Sequence, residues 1–450
     1  MTIAKKCVII EDDYIMWKYD LKGVRALKRR KVAIIAALSA IILSGCGASA
    51  DNSPSGKESV SSESALPFDD YFPEITPDTP ALTYLGSRDL RNSEALELYN
   101  KTFAADYKKT DIIVREYCSE YRLADVLSEK IASDRSPDLT DKLPNSFPYL
   151  MSKNYYEDLT KYIDRSAPQW TEYASYIDFY SYNGSRFFYP ETVTAAPRFL
   201  VYSKERFEAL GLADPETLYY DGKWTRKAFT EAAESFCAAM GGTGVYGDGI
   251  TDGFISSEGE TVFSKAESGQ IVCNLQNEKI TEAFDYLKNE LSAKTGIEGF
   301  TGYDRIINGR SAFLLIDDGG YNELLAIDSG KNYGAVPIPK ADGGKIYFCA
   351  AESEGYLVPK GAKNVKGAAC FINCGRIAAA RAEAPESVLA KMRANGLTAV
   401  PEENYCFDAK TNGAIKDYLS LPLLKNEDES GFASELSEIE AAVAEINSLN

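Results

Sequence analysis

Residues 81–131, ALTYLGSRDLRNSEALELYNKTFAADYKKTDIIVREYCSEYRLADVLSEKI, alternate between two hydrophobic periods. Residues 81–85 form a short apolar run of strand type. Leu96, Tyr99, Phe103 and Tyr107 then fall at i, i+3, i+7 and i+11, one face of an amphipathic helix. Residues 111–117 are β-branched and read as a second strand, and Leu123, Leu127 and Ile131 return to helical spacing. Strand–helix alternation of this kind predicts an α/β fold built on largely parallel strands.

The pattern continues downstream. It predicts strands over 199–202 and 311–316 and helices over 227–240 and 366–374. Ile280, Phe284, Leu287 and Leu291 line one face of a further helix, and Leu436, Ile439 and Val443 one face of a last one. Stretches 334–344 and 355–361, with Pro and Gly, read as crossings or turns. There is no tandem repeat, and 450 residues suit a body of two domains.

Upstream, the basic run Leu27-Lys28-Arg29-Arg30-Lys31 precedes twelve mostly apolar residues, 32–43, and then Ser44-Gly45-Cys46. A bilayer-spanning helix needs about 20 apolar residues. A run of twelve fits the apolar region of a signal peptide instead. Leu43-Ser44-Gly45-Cys46 resembles the bacterial lipoprotein signal, which implies lipid attachment at Cys46. Glu11-Asp12-Asp13 put acid ahead of the basic run, which fits a translation start at Met16 or a tolerated extension. The chain therefore divides into an extension and signal over 1–45, a lipid-anchored tether over 46–79 and a folded body over 80–450. Residues 47–65 are rich in Ser, Gly, Asp and Glu and bury too little to order themselves.

Without residues 1–45 the chain keeps 40 basic and 63 acidic residues, a formal charge of −23. Such a body repels phosphate backbones and anionic lipid headgroups, which argues against nucleic-acid binding. Histidine is absent, which removes Ser-His-Asp and Cys-His catalysis and His-ligated zinc.

An ordered set of short motifs resembles the family 1 extracellular solute-binding proteins, the maltose-binding-protein-like receptors of ABC importers. Ser136-Pro137-Asp138-Leu139 is similar to their Pro-Asp strand entry, and Asp158-Leu159-Thr160-Lys161-Tyr162-Ile163 to a further family segment. Val201-Tyr202-Ser203-Lys204-Glu205-Arg206-Phe207 with Gly211-Leu212 and Pro215, and Trp224-Thr225 with Phe229, resemble the next two. Asn308-Gly309-Arg310-Ser311-Ala312-Phe313, Tyr333-Gly334 with Pro337 and Pro339, and Gly355-Tyr356-Leu357-Val358-Pro359-Lys360 complete the set. Ser203, Arg226 and Thr140 depart from the family's usual residues. The resemblance spans roughly residues 80–375.

It implies a type 2 periplasmic-binding fold, with two lobes joined by a hinge and the ligand held in the interlobe cleft. By the family's connectivity, lobe 1 takes about 80–192 and 303–350, and lobe 2 about 198–300 and 356–450. Where the family places its cleft loops, the candidate ligand-binding residues are Arg88, Asp89, Asn145, Glu191, Asp318, Tyr321, Glu354 and Tyr356. Of the adjacent acids Asp317 and Asp318 only one can face the cleft, and Asp318 beside Gly319-Gly320 is the choice.

Other motifs have plainer readings. Gly242-Thr243-Gly244-Val245-Tyr246-Gly247 spells G-x-G-x-x-G but follows a helix, the reverse of a dinucleotide site, and reads as a helix-ending loop. Asp248, Asp252 and Gly253 loosely match a calcium loop that lacks its later ligands. Trp224 is assigned to packing. Cys118, Cys237, Cys273, Cys349, Cys370, Cys374 and Cys406 read as small buried thiols.

The expected function is capture of a saccharide or oligosaccharide by a monomeric, membrane-anchored extracytoplasmic receptor that feeds an ABC permease. No catalysis, metal or cofactor is expected. The alternatives are a receptor of the same fold for another small solute or for a sensor kinase, and a surface glycoside-processing enzyme using two carboxylates.

Overall fold

The computed structural model describes residues 81–90, 93–103, 113–382, 388–423 and 433–449. The lipobox with Cys46, the tether and Tyr107 lie outside these.

Leu82–Gly86 pairs in parallel with Ile113–Tyr117 on one edge and with Leu139–Asp141 on the other. Tyr356–Leu357 adds an antiparallel strand beyond Leu139–Asp141, giving a four-stranded sheet. A second sheet orders Ile297–Glu298, Thr243–Gly247, Ser311–Asp317, Arg198–Ser203 and Tyr333–Val336. Its central strand Ser311–Asp317 is parallel to Thr243–Gly247 and antiparallel to Arg198–Ser203, so this sheet is mixed and not largely parallel.

Between the sheets run Thr192–Ala195 and Tyr347–Glu354, paired antiparallel with Glu354 opposite Thr192. Leu397–Pro401 joins them in parallel. Thr192–Ala195 leads into Arg198–Ser203 of the second sheet and Tyr347–Glu354 into Tyr356–Leu357 of the first, so these two strands carry the chain between the lobes.

The lobe allocation expected from the resemblance is corrected by the hydrogen bonding. Leu314 lies opposite both Val201 and Tyr246, so 311–317 is bonded on both edges within the second lobe. Tyr356 lies opposite Asp141, and helix Val365–Arg381 packs on helix Glu94–Phe103, which returns the segment 356–381 to the first lobe. Residues 333–336, read as part of a crossing, are a strand of the second sheet.

Each lobe has its own apolar core. Trp224 is wholly buried in the second, edge-on to Phe229 and tilted against Phe313, with Nε1 donating to the Pro337 carbonyl at 2.8 Å. A third cluster joins Leu123 and Phe147 of the first lobe to Ile255, Phe263 and Ile439. There the Tyr182 hydroxyl donates to the Ile446 carbonyl at 3.0 Å.

The G-x-G-x-x-G segment is a strand and not a loop. A Cβ on Gly242 would lie 2.1 Å from the Arg310 carbonyl oxygen, and one on Gly244 2.2 Å from Thr295 Oγ1, so these glycines serve close packing. All seven described cysteines are free; five are buried, and Cys237 and Cys273 are half-buried. Burial pushes the thiol of Cys349 up to about 11 and that of Cys374 up to about 12, and raises Cys370 and Cys406 as well.

Asp138 ties the first lobe together. Its carboxylate accepts from Thr83 N at 2.9 Å, Thr83 Oγ1 at 2.8 Å and Asn364 N at 2.7 Å. Asn364 in turn caps helix Val365–Arg381. Each buried donor left unpaired costs about 1–3 kcal/mol. The Thr83 hydroxyl can turn to another acceptor but the two backbone donors cannot, so Asp138→Ala should lower the urea-unfolding free energy by about 2–6 kcal/mol while the far-ultraviolet circular dichroism of the folded protein stays unchanged.

Candidate functional site

The site lies at the strand ends that face the crossing strands. One cavity of about 680 Å³ is bounded by Arg88 and Lys142 of the first lobe, by Glu352 and Glu354 on a crossing strand, and by the loop Glu402-Glu403-Asn404-Tyr405. A second, of about 800 Å³, is bounded by Arg198, Asp248, Asp252, Asp317, Phe300 and Tyr303 of the second lobe. Both include Arg198, Asp252, Glu352 and Tyr405, so the two adjoin. A cleft of this size, apolar in part with convergent polar groups, suits a small solute.

Four of the residues predicted from sequence come together here. Arg88, just past strand Leu82–Gly86, places its guanidinium 2.8 Å from Glu191 and 3.4 Å from Glu354, above the Tyr356 ring at 4.9 Å from its centroid. Asp141, which sequence reasoning missed, lies 3.5 Å from the same guanidinium and accepts from the Tyr84 hydroxyl at 2.6 Å. Burial pushes the Glu191 carboxyl up, and the neighbouring Arg88 opposes that shift. Tyr356 is buried edge-on between Tyr84 and Phe371, so it supports Arg88 and offers no open face for stacking.

The other four are not brought in. Asp89 is exposed and outside both cavities. Asn145 is half-buried at the start of the turn Ser146–Leu150, and only its neighbour Pro144 lines the cleft. Asp318 begins helix Asp318–Ile327 and accepts from Arg393 Nη2 at 2.9 Å. Asp317 is the one that reaches the second cavity, where Oδ1 also caps the helix by accepting from Gly320 N at 2.7 Å. Tyr321 is a core residue, its hydroxyl donating to the Tyr333 carbonyl at 3.1 Å and its ring edge-on to Phe199.

The loop after Leu397–Pro401 carries most of what the sequence reading missed. Glu402 accepts from Arg198 Nη2 at 2.5 Å. Glu403 accepts from Lys142 Nζ at 2.7 Å and from the Tyr180 hydroxyl at 2.5 Å. Asn404 Nδ2 donates to Asp252 Oδ1 at 2.7 Å. With these three neighbours anchored, Tyr405 stands 38% exposed, as does Phe300. Ser353 is buried at the cleft wall, close to the Tyr180 hydroxyl but without a hydrogen bond of normal geometry. The available signal was a polar run ending in an aromatic directly after a β-type run, residues 397–405.

Among the described residues, the two cavities present eight carboxylates and four cationic side chains: Asp141, Asp248, Asp252, Asp317, Glu352, Glu354, Glu402 and Glu403 against Arg88, Lys142, Arg198 and Lys416. No group of side chains among the described residues is arranged to hold a metal ion.

Together, two α/β lobes, the strands that cross between them and a polar cleft define a two-lobed solute-binding receptor. Residues 120–375, more than half of the chain, match the family described as bacterial extracellular solute-binding protein, and the chain belongs to that non-catalytic family. No curated protein sequence matches it. Among solved structures it is similar to the cyclic α-maltosyl-1,6-maltose binding protein of Arthrobacter globiformis, at 15% identity and a TM-score of 0.57, covering 82% of this chain and 99% of that one. The galacto-N-biose-/lacto-N-biose I-binding protein of Bifidobacterium longum matches at 15% identity and 0.56, over 82% and 98%. An ABC substrate-binding protein of Listeria monocytogenes in complex with cycloalternan matches at 16% and 0.53, over 82% and 99%. At these identities the likeness is one of fold. Among the described residues no helix is long and apolar enough to cross a membrane.

Burial pushes the Glu402 carboxyl up to about 7; Asp252 and Glu352 reinforce the shift, and Arg198 opposes it. The folded protein then holds a proton on Glu402 that the unfolded chain has lost, so this group's contribution to stability falls as pH rises from about 4.5 to about 7. Replacing the acid by a neutral amide removes the effect. Glu402→Gln should be most favourable relative to wild type at pH 7.5, and the difference in melting temperature should shrink toward pH 5.

Proposed function

We propose that this chain captures a saccharide or oligosaccharide in the interlobe cleft and delivers it to an ABC permease from the outer face of a membrane. It is held there by lipid on Cys46. The observation that carries the reading is the pair of adjoining cavities in which Tyr405 and Phe300 stand exposed among carboxylates and Arg198. Flat aromatic faces pack on sugar rings while carboxylate oxygens accept from ring hydroxyls. The solved structures of similar fold include receptors whose names state saccharide ligands, which supports the same class here. Arg88 and Glu354 would meet the ligand from the first lobe and the crossing strand, with Glu191 and Tyr356 holding Arg88 in place. Asp89, Asn145, Asp318 and Tyr321 have no part in this placement. The ligand would draw the lobes together by touching both.

A thermal-shift screen over a saccharide library should find a compound that raises the melting temperature, because a ligand that binds only the folded state adds RT ln(1 + [L]/Kd). With that compound, Glu354→Gln should weaken binding about 10- to 150-fold through loss of a charged acceptor. Tyr405→Ala should weaken it about 2- to 12-fold, with the unliganded melting temperature nearly unchanged. Wild-type affinity in both variants would refute the cleft assignment.

The anchor is tested separately. Lipid on Cys46 predicts a mature N-terminus at Cys46 that carries acyl chains and fractionates with membranes. Cys46→Ala should release the protein or stall its processing. A mature terminus elsewhere, found unmodified by mass spectrometry, would rule the anchor out.

A further inference from the structure

The composition of the chain changes at one place ahead of strand Leu82–Gly86. Residues 47–65 hold a single large apolar side chain, Val60, whereas residues 66–80 hold five: Leu66, Phe68, Tyr71, Phe72 and Ile75. Pro67, Pro73, Pro77 and Pro80 disfavour a helix there and bias the segment toward an extended backbone. An extended segment of this length cannot bury five large apolar side chains within itself, so it gains by lying on a surface. The division of the chain into two units falls at the same point, between Ala65 and Leu66, which puts residues 66–80 with the body.

A surface of the right kind begins where that segment ends. A groove of about 340 Å³ opens at the foot of the first-lobe sheet, with Ala81, Leu85 and Pro137 among its walls. Pro80 is bonded to one of those walls, so the segment has no distance to cross. The charged lining is Lys130, Arg135 and Lys363 against Glu116, Asp134 and Asp138. Glu116 is taken by Lys130 at 2.6 Å, and Asp138 by Thr83 and Asn364. Asp134, exposed, is the one acid left over. Lys363 is exposed and forms no ion pair among the described residues. Arg135 reaches only the Ser133 hydroxyl and, at 3.4 Å, Glu129, exposed contacts of a kind worth little. Residues 66–80 bring Asp69, Asp70, Glu74 and Asp78 and no cation. In a chain this acidic, an apolar groove beside two available cations is the complement such a segment requires.

We propose that residues 66–80 dock in this groove, their apolar side chains against Leu85 and Pro137 and their acids toward Arg135 and Lys363. The docking stands apart from the saccharide reading, while its consequence for the tether rests on lipid at Cys46. The free tether then ends at Ala65, about 20 residues with a root-mean-square reach of roughly 25 Å. It is fastened at the N-terminal ends of the first-lobe strands, whereas Ser87 and Asp141, at their C-terminal ends, border the cleft. Anchoring therefore leaves the mouth of the cleft free.

The test is limited digestion of the full chain in mild detergent by a glutamate-specific protease. Each site is normalised to the same sequence cut as a free peptide covering residues 55–80. Glu58 and Glu63 lie in the tether and Glu74 in the segment, so the chain carries its own control. Cleavage after Glu58 and Glu63 should run at the peptide rate, and cleavage after Glu74 at least about tenfold slower. Two paired variants should each return Glu74 to the peptide rate. Arg135→Glu with Lys363→Glu changes exposed residues of the body, and Phe68→Ser with Phe72→Ser leaves the described body untouched. Glu74 cut at the peptide rate in the wild type overturns the proposal. So does protection that survives either pair, that fades on dilution as a second copy would give, or that appears only with lipid vesicles as a membrane contact would give.

Discussion

The fold depends on the chain finding its way back to the first lobe after building the second. Asp138 is where that return is secured, since one carboxylate holds strand Leu82–Gly86 and the turn at Asn364, 226 residues further on. Because Asn364 caps Val365–Arg381, the same bond sets where that helix begins and hence how it packs on Glu94–Phe103. A lobe closed by a distant segment spans the whole intervening lobe in sequence, so its completion carries the closure cost of that long loop although each lobe has its own core. Loop closure over such separations is costly in entropy, and a charged acceptor shared by several buried donors is the kind of contact that offsets it.

The same topology explains why the cleft draws on so many parts of the sequence. Strand ends of both sheets, one crossing strand and the 402–405 loop converge there, and three of the loop's four residues are tied to different walls. Glu403 reaches Lys142 in the first lobe, while Glu402 and Asn404 reach Arg198 and Asp252 in the second. Relative movement of the lobes must therefore be felt at this loop. Behind it, the cluster joining Leu123 and Phe147 to Ile255 and Ile439 gives the lobes a dry contact besides the crossing strands.

Much of the fold was legible because it follows from periodicity. The strand at Ser311–Asp317 and the helices Arg226–Met240 and Val365–Arg381 lie within a few residues of, or extend, what spacing predicts. Pairing was less so. Periodicity says that SAFLLI is buried, not which strands flank it, and so the lobe allocation erred. At the site, Arg88, Glu191, Glu354 and Tyr356 were chosen because the family places its cleft loops there. Arg198, Asp252 and the 402–405 loop were not, since what makes them matter is contact across more than a hundred residues. The choice between Asp317 and Asp318 turned on which residue caps the following helix, and Asp318 was claimed by Arg393, 75 residues away. No local pattern reveals such a partner.

The seven free thiols have a consequence for where this protein can fold. A thiolate, not a thiol, attacks disulfides and oxidants, and burial holds Cys349, Cys370, Cys374 and Cys406 in the protonated form. Cys370 and Cys374 sit one turn apart on a helix packed inside the first lobe. No pairing of cysteines contributes to the stability of the described body, and the buried sulfurs are poor targets once it has formed. The four deeply buried sulfurs are therefore shielded from the redox poise of the surroundings in the native state, and it is the unfolded chain, with those sulfurs uncovered, that would register whether it emerges into an oxidising or a reducing compartment.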